Sequence, residues 1–237
     1  MTEKSLHDKN ISENLKFING QIEKSVQKSG RSINDITLIA VTKTVDTAHI
    51  NAALSEGVAH IGENRVQEYL EKRGDLLPCT HHMIGTLQTN KVKSIVGKVD
   101  LIQSVNSLKL AKEISDQSIK QNIISDILIE VNIGNEASKT GIDKTQTEAL
   151  VEEIAKLKGV FVKGLMTIAP LCEQKEKNRV FFYNMMQLFI DIKGKKMDNI
   201  SMDFLSMGMS GDFDIALEEG SNMIRIGSAI FGKRISY

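Results

Sequence analysis

Two patterns of hydrophobic and polar positions alternate along this chain. Short apolar runs rich in β-branched residues recur, and each is followed by a stretch in which apolar residues return every three or four positions. The first pattern is typical of strands buried on both faces of a parallel sheet, and the second of amphipathic helices. The predicted strands are 36–44, 58–62, 81–85, 101–105, 127–132, 160–166, 203–207 and 223–227. The predicted helices that follow strands one to seven are 46–56, 66–72, 90–96, 107–120, 144–157, 178–193 and 212–219.

Repeated β-then-α alternation with short connections predicts a single-domain (β/α)8 TIM barrel that occupies residues 1–237. Such barrels commonly use about 200 to 250 residues as one domain, which fits this length. An open doubly wound sheet is the alternative. It is disfavoured because the first strand is not followed by the G-x-G-x-x-G turn that such sheets use to bind dinucleotides.

Two of the predicted helices have an apolar face that can be assigned from the sequence. Apolar residues at helical spacing over 3–29 predict a helix within residues 1–30, before the first strand, which packs outside the barrel or closes its bottom. The apolar stripe of helix 178–193 is predicted to contain Val180, Met185, Leu188, Phe189 and Ile192.

Composition narrows the class of protein. A formal net charge of +0 argues against a non-specific nucleic-acid binder, and no apolar run is long enough to span a membrane. The polar N-terminus has no signal-peptide core. Cys79 and Cys172 are too few for a disulfide framework. We therefore expect a cytoplasmic protein that uses neither nucleic acid nor a membrane as a partner.

Lys43 lies where the first strand ends. In a (β/α)8 barrel, the C-terminal ends of the strands hold the chemistry. A lysine in an apolar setting there loses proton affinity, because desolvation disfavours the ammonium, and a neutral amine can attack an aldehyde to form a Schiff base. The alternative is a strand-end lysine that simply reaches solvent, and this stretch alone does not exclude it.

The ends of strands seven and eight resemble a phosphate cradle. Strand seven leads into the segment 206–212, which contains Ser210 and Gly211, and strand eight leads into Gly227 and Ser228. Barrels often bind phosphate with the loops after these two strands, through backbone N–H groups and serine hydroxyls. Ser210 also suits the N-cap of the helix that follows, so capping is the alternative for this residue.

A lysine and a phosphate cradle at one mouth suit a phosphorylated aldehyde, of which pyridoxal 5′-phosphate (PLP) is the common one. Arg225, on strand eight, can only donate hydrogen bonds. If it faces the pyridine nitrogen, that nitrogen stays unprotonated and the ring becomes a weaker electron sink. The alternative for Arg225 is an ion pair with a strand-end carboxylate.

Other residues at strand ends have two interpretations each. Asn64 suits a phenolic oxygen but also the N-cap of the next helix. His82 is more typical of a packed, hydrogen-bonded histidine than of a catalyst. Met166 could pack on a ring face or lie in the core. The loop 134–141 could be a lid or plain surface.

Six segments, in order and at family spacing from about residue 10 onward, resemble the pyridoxal phosphate homeostasis protein family. They are 40–43 (AVTK), 62–68 (GENRVQE), 82–91 (HMIGTLQTNK), 164–166 (GLM), 205–210 (LSMGMS) and 224–232 (IRIGSAIFG). The sequence departs from the family at His81, where tryptophan is common, and at Ser228, where threonine is usual and a hydroxyl is kept. The rim beside His82 is therefore expected to differ.

The resemblance implies a barrel similar to the alanine racemase N-terminal domain, with PLP as a Schiff base on Lys43 and Arg225 at the pyridine nitrogen. It implies that the phosphate is held by the loop containing Ser206, Met207, Met209 and Ser210, together with Gly227 and Ser228. It also implies that the protein carries and balances PLP without strong turnover, with PLP-dependent apoenzymes as possible recipients.

Two other functions are considered. The first is a single-domain PLP-dependent amino-acid racemase with Lys43 as one base and His82 or a rim residue as the other. Alanine racemases place a catalytic tyrosine from a second domain over the ring. Because this chain ends at Tyr237 soon after the eighth strand, we expect one of the two bases to be missing. The second is a PLP-free Schiff-base aldolase that acts on a phosphorylated sugar.

Overall fold

Parallel strands form a closed barrel at the centre of the structure. The computed structural model describes residues 3–136, 139–170, 172 and 174–232, with the side chains of 3–9 excepted. The barrel strands are β1 Thr37–Val41, β2 His60–Glu63, β3 Thr80–Met83, β4 Leu101–Val105, β5 Ser125–Asn132, β6 Val160–Thr167, β7 Ile200–Met209 and β8 Met223–Ile226. Each pairs in parallel with the next, and β8 pairs with β1. The predicted (β/α)8 barrel is therefore confirmed.

Helices surround the barrel. They are α1 Glu3–Lys28, α2 Thr47–Ser55, α3 Val66–Lys72, α4 Val92–Ile95, α5 Leu108–Lys120, α6 Lys144–Ile154, α7 Arg179–Gly194, α8 Phe213–Glu218 and α9 Ser228–Phe231. Three of their starts are fixed by side chains that accept a backbone N–H, and these N-caps are Asp46, Ser107 and Asp143. A two-residue strand, Ile142–Asp143, pairs with the end of β5.

Several predicted strand boundaries were wrong: the third strand ends at Met83 rather than 85, the fifth begins at Ser125 rather than 127, and the seventh is Ile200–Met209 rather than 203–207. The first and second strands show a clear local cause. The first strand ends at Val41, not at 44, because Thr42 to Val45 form a turn in which Val45 N–H donates to the Thr42 carbonyl at 3.0 Å. The second begins at His60, not at 58. The Val58 N–H instead closes the end of α2 by donating to the Ala53 carbonyl at 3.2 Å, past a left-handed Gly57.

The N-terminal helix α1 packs outside the barrel, against α2, α8 and α9. Its buried face meets the outward side of β1 and β8 in one hydrophobic cluster. The residues of α1 in that cluster are Ile11, Leu15, Ile18, Ile22 and Val26. This spacing is the helical period from which the helix was predicted. Of the two predicted placements, outside the barrel or closing its bottom, the contacts show the first.

Helix α7 buries a face slightly different from the predicted one. Phe182, Met185 and Phe189 are buried, but Val180 is 55% exposed. Successive residues of a helix are about 100° apart, so Val180 lies on the far side from Phe182. Its inclusion in the stripe was wrong, while Met185, Leu188, Phe189 and Ile192 are buried as predicted.

The interior of the barrel is a separate small core. Its apolar members are Ile39, Leu101, Leu128, Met166 and Met223. Because strand side chains alternate, residues two positions further along the same strands also point inward, closer to the mouth. Val41, Glu130 and Arg225 occupy such positions.

In the described part of the chain, no helix is long and apolar enough to cross a membrane.

Candidate functional site

A cavity of about 280 Å³ lies at the C-terminal ends of β1, β7 and β8. Its lining residues are Val41, Lys43, Met209, Ser210, Gly211, Arg225, Gly227 and Ser228. The closed sheet thus brings together three segments that are far apart in sequence. Six predicted site residues lie here: Lys43, Met209, Ser210, Arg225, Gly227 and Ser228.

Lys43 enters this cavity from the turn after β1 and is half-buried. The next residue, Thr44, has a left-handed backbone with φ 60°. This conformation is uncommon for a residue that is not glycine, and for a β-branched residue it is strained. The turn that holds Lys43 is therefore maintained by its surroundings rather than by local preference.

Arg225 forms the floor of the cavity. It is buried, and its guanidinium donates to the Ser206 hydroxyl at 2.6 Å and to the Thr167 carbonyl at 2.8 Å. Burial lowers the pKa of Arg225 to about 10, against the opposing charges of Asp212 and Glu130, so the side chain remains cationic at neutral pH. Among the described residues, its hydrogen bonds go to a hydroxyl and a carbonyl rather than to a carboxylate.

A chain of side-chain hydrogen bonds runs from Arg225 across the barrel interior. Ser206 accepts from Arg225 and donates to Gln103 Oε1 at 2.7 Å. The Gln103 amide faces His82 Nδ1 at 3.1 Å, and His82 Nε2 faces His60 Nδ1 at 3.0 Å. Because arginine can only donate, the direction of every following bond is fixed, and His82 carries its proton on Nε2.

Gln103 and His60 were not predicted as members of this site. Gln103 is a polar residue at the centre of strand β4, in which every residue is buried, and a buried amide there needs a partner. A polar residue in the middle of a predicted strand was the signal that the sequence offered for Gln103. No sequence signal pointed to His60, since its partner lies on a different strand.

Five predicted site residues lie away from the cavity lining, and one of them, Asn64, is described separately below. Ser206 is fully buried within β7, and its hydroxyl is already used by Arg225 and Gln103. Met166 lies in the barrel interior, and Met207 lies in the larger core outside the sheet. Both ring nitrogens of His82 have partners within the protein.

His82 makes stability depend on pH. Burial, helped by the neighbouring rings of His60 and His81, lowers the pKa of His82 to about 3 from its ordinary 6.5. Below pH 6.5 the unfolded chain binds a proton that the folded chain does not, so stability falls as the pH falls. At about 1.4 kcal/mol per pH unit, His82 costs about 2 kcal/mol between pH 7 and pH 5.

Urea unfolding of the wild type and of His82→Gln at both pH values measures this effect. The variant is expected to lose about 2 kcal/mol less on going from pH 7 to pH 5, whatever its stability at pH 7. Identical pH dependence in the two proteins would contradict the assignment of a neutral, buried His82.

The loop after β7 is organised by Ser210 and Asp212. The Ser210 hydroxyl oxygen accepts from the backbone N–H groups of Gly227 and Ala229, both at 3.3 Å. Asp212 accepts from the Met209 N–H and from the Asn178 amide, both at 2.8 Å. Helix α8 begins at Phe213 with Asp212 at its cap position, so the predicted alternative of Ser210 as N-cap was wrong.

The convergence of two N–H groups on one oxygen is a feature of phosphate sites. In this structure that oxygen is the Ser210 hydroxyl, so the Gly227 and Ala229 N–H groups are already hydrogen-bonded. Gly208 permits the approach of this loop to α8, because its φ is 96° and a Cβ there would lie 2.6 Å from the Ala216 Cβ.

Asn64 lies in the loop after β2 with its Oδ1 buried and without a hydrogen-bond partner among the described residues. The cap position of α3 is Arg65, so Asn64 does not cap that helix. Gly85 touches the Asn64 backbone, since a Cβ at Gly85 would lie 2.3 Å from the Asn64 carbonyl oxygen. The Asn64 backbone is therefore closely packed, while its side-chain oxygen is left without a hydrogen-bond partner among the described residues.

Two further predictions concern the rim. His81 points outward and meets the edge of the Tyr69 ring at 5.4 Å, so this departure from the family does not touch the cavity. Glu136, in the loop 134–141, is bound through its backbone: its carbonyl accepts from the Asn132 side-chain amide and its N–H donates to the Asn132 side-chain oxygen. Residues 137–138 of the loop lie outside the described residues. Whether this loop acts as a lid stays a prediction.

Comparisons with known proteins agree with this geometry. Residues 19–234 match the family described as alanine racemase, N-terminal domain. A pyridoxal phosphate homeostasis protein from Aquifex aeolicus is 41% identical over 227 residues, which are 95% of this chain and 99% of that protein. The homologue from Escherichia coli K12, with the same name, is 34% identical over 94% of this chain and 97% of its own.

One solved structure is informative about a ligand. It is that of PipY from Synechococcus elongatus with PLP bound, which superposes with a TM-score of 0.81 at 30% identity. The superposition covers 94% of this chain and 100% of the PipY chain.

Proposed function

This chain belongs to the alanine racemase N-terminal domain family and, within it, to the pyridoxal phosphate homeostasis proteins, and on that premise we propose that it binds PLP at the cavity of Lys43. We propose further that it holds the cofactor for intracellular carriage and balance rather than for rapid turnover, and that it acts in the cytoplasm. The observation that supports this best is the placement of Lys43, Ser210 and Arg225 around one cavity.

The residues present fit this cofactor. PLP supplies an aldehyde that condenses with a lysine amine, with the aldehyde oxygen leaving as water. Lys43 offers the amine, and the hydroxyls of Ser210 and Ser228, on either side of Gly227 in the cavity lining, offer donors for a phosphate. Asn64, whose buried Oδ1 has no partner among the described residues, is proposed to meet the phenolic group.

Two features favour carriage over catalysis. Arg225 is cationic and donor-only, so it is proposed to keep the pyridine nitrogen unprotonated and the ring a weak electron sink. His82 is a poor second base for racemisation, because both of its ring nitrogens are hydrogen-bonded inside the barrel and its pKa is about 3. A racemase-like enzyme remains the alternative, and it requires another base at the rim.

Borohydride trapping tests the site of attachment. The purified protein is mixed with PLP, its visible absorbance is recorded, the Schiff base is reduced, and the modified peptide is identified by mass spectrometry. We expect one modified residue, Lys43. Modification only at other lysines, or none at all, would overturn the proposal.

The carrier role is tested separately from the attachment. The PLP-loaded protein is expected to reactivate a PLP-dependent apoenzyme and to racemise L-alanine no faster than free PLP. Sustained racemisation by the loaded wild type would instead support the enzyme alternative.

A further inference from the structure

We propose that Glu63, Glu68 and Lys72 are positioning residues for Lys43, and that they act by fixing the backbone on both of its sides. This inference rests on the proposed role of Lys43. None of the three was predicted as a site residue, although all lie in or just after the 62–68 segment.

The residue before Lys43 is fixed through three atoms. The Thr42 hydroxyl donates to Glu63 Oε1 at 2.7 Å, and the Thr42 backbone N–H donates to the Gly62 carbonyl at 3.0 Å. Its carbonyl accepts from Lys72 Nζ at 3.0 Å. Thr42 and Glu63 are both buried, so these bonds do not compete with water.

The residue after Lys43 is fixed by the second carboxylate. Glu68 Oε1 accepts the backbone N–H of Thr44, the residue with the left-handed backbone. Strained backbone persists only when its surroundings determine it, and this bond is the visible determinant. Strain of this kind is typical of functional sites rather than of ordinary turns.

Lys72 joins the two carboxylates into one unit. Its Nζ lies 3.1 Å from Glu63 Oε1 and 2.5 Å from Glu68 Oε1. Burial raises the pKa of Glu63, with the Thr42 hydroxyl and Lys72 opposing it. The hydrogen bonds from Lys72 and Thr44 outweigh the burial of Glu68 and lower its pKa. Glu68 is therefore an ionised acceptor at neutral pH.

A purely structural cluster has no need to bind the main chain on each side of the reactive lysine. These bonds fix the direction in which the Lys43 side chain leaves the backbone. A misplacement on the order of 1 Å at a reacting group can cost about 10²-fold in rate. The cluster is thus placed to control how fast the Lys43 amine meets an aldehyde.

Two substitutions of Glu68 separate positioning from charge. Glu68→Ala removes both the negative charge and the acceptor for Thr44, whereas Glu68→Gln removes the same charge but keeps an oxygen acceptor. We measure the rate of Schiff-base formation with PLP from the visible absorbance, at several pH values, on the full-length protein. We expect Glu68→Ala to be slower by at least about tenfold and Glu68→Gln to lie within about threefold of wild type.

The matched control is Glu152→Ala. Glu152 pairs with Lys195 at 3.0 Å in another Lys–Glu–Glu cluster, which joins α6 to the residue after α7 and has no contact to the β1 turn among the described bonds. It is expected to react at the wild-type rate. Thermal melting of all variants excludes unfolding as the cause of a slow rate.

The outcomes are distinct. If Glu68→Ala reacts like wild type, or if both Glu68 variants are equally slow, the positioning role is overturned, in the latter case in favour of a charge effect. If wild-type Lys43 itself forms no reducible adduct, the proposed function and this inference both fail, and this is seen before any variant is made.

Discussion

Lys43→Ala is expected to abolish the visible absorbance band that PLP produces on binding, and borohydride is expected to leave no cofactor attached to the protein. The physical reason is that the amine is the only group of the cavity lining able to condense with an aldehyde. The remaining phosphate and ring contacts are non-covalent, so the variant is expected to release PLP on gel filtration while the wild type retains it.

A control separates this loss from a general effect of removing a lysine. Lys93→Ala changes an exposed lysine of α4 and is expected to keep the band and the covalent adduct. A band of wild-type intensity in Lys43→Ala would show that another lysine receives the cofactor, and peptide mapping of the reduced protein would identify it.

Gly164→Ala is expected to be the most destabilising alanine substitution of a glycine in the described chain, costing about 3 kcal/mol or more. Gly164 has φ 149°, and a Cβ there would lie only 1.8 Å from the Phe204 carbonyl oxygen on the neighbouring strand β7. That atom is backbone and is paired with Gly164 in the sheet, so neither strand can yield without breaking the ladder.

Urea denaturation measures the loss as a lower midpoint at similar slope. Gly20→Ala is the control, because nothing lies within 4 Å of its added Cβ and it is within α1. Alanine is the better helix former, so this variant is expected to gain about 0.5–1 kcal/mol. An equal midpoint for Gly164→Ala and wild type would contradict the close approach of β6 and β7.

The sequence by itself determined the barrel and the end of it at which the proposed site lies. Strands buried on both faces are short continuous apolar runs, whereas amphipathic helices repeat their apolar residues about every 3.6 positions, so the order of strands and helices is visible without a structure. Lys43 and the Gly227–Ser228 turn follow strands directly in the sequence. Because parallel strands of one barrel all end at the same mouth, their meeting there could be predicted.

Only the tertiary structure decided which side chains of the strands face the cavity. The pairing of β7 with β8 shifts register between Ser206 and Met209, and β6 with β7 shifts between Val162 and Gly164. A slip of one residue moves every later side chain to the opposite face, and a bulge is not visible in the pattern of apolar residues. Because β7 has one extra residue between Ser206 and Met209, both of these face inward although they are three positions apart, while Met207 points into the outer core. Ser206 and Met207 had both been predicted beside the phosphate.

The polar chain beneath Arg225 and the cluster around Lys43 were beyond prediction for a related reason. The first joins residues from five different strands, and the second joins a turn to a helix about 25 positions later in the chain. Such partners are chosen by distance and burial in the folded barrel. The sequence determined which chemical groups are available, and the closed sheet decided which of them meet.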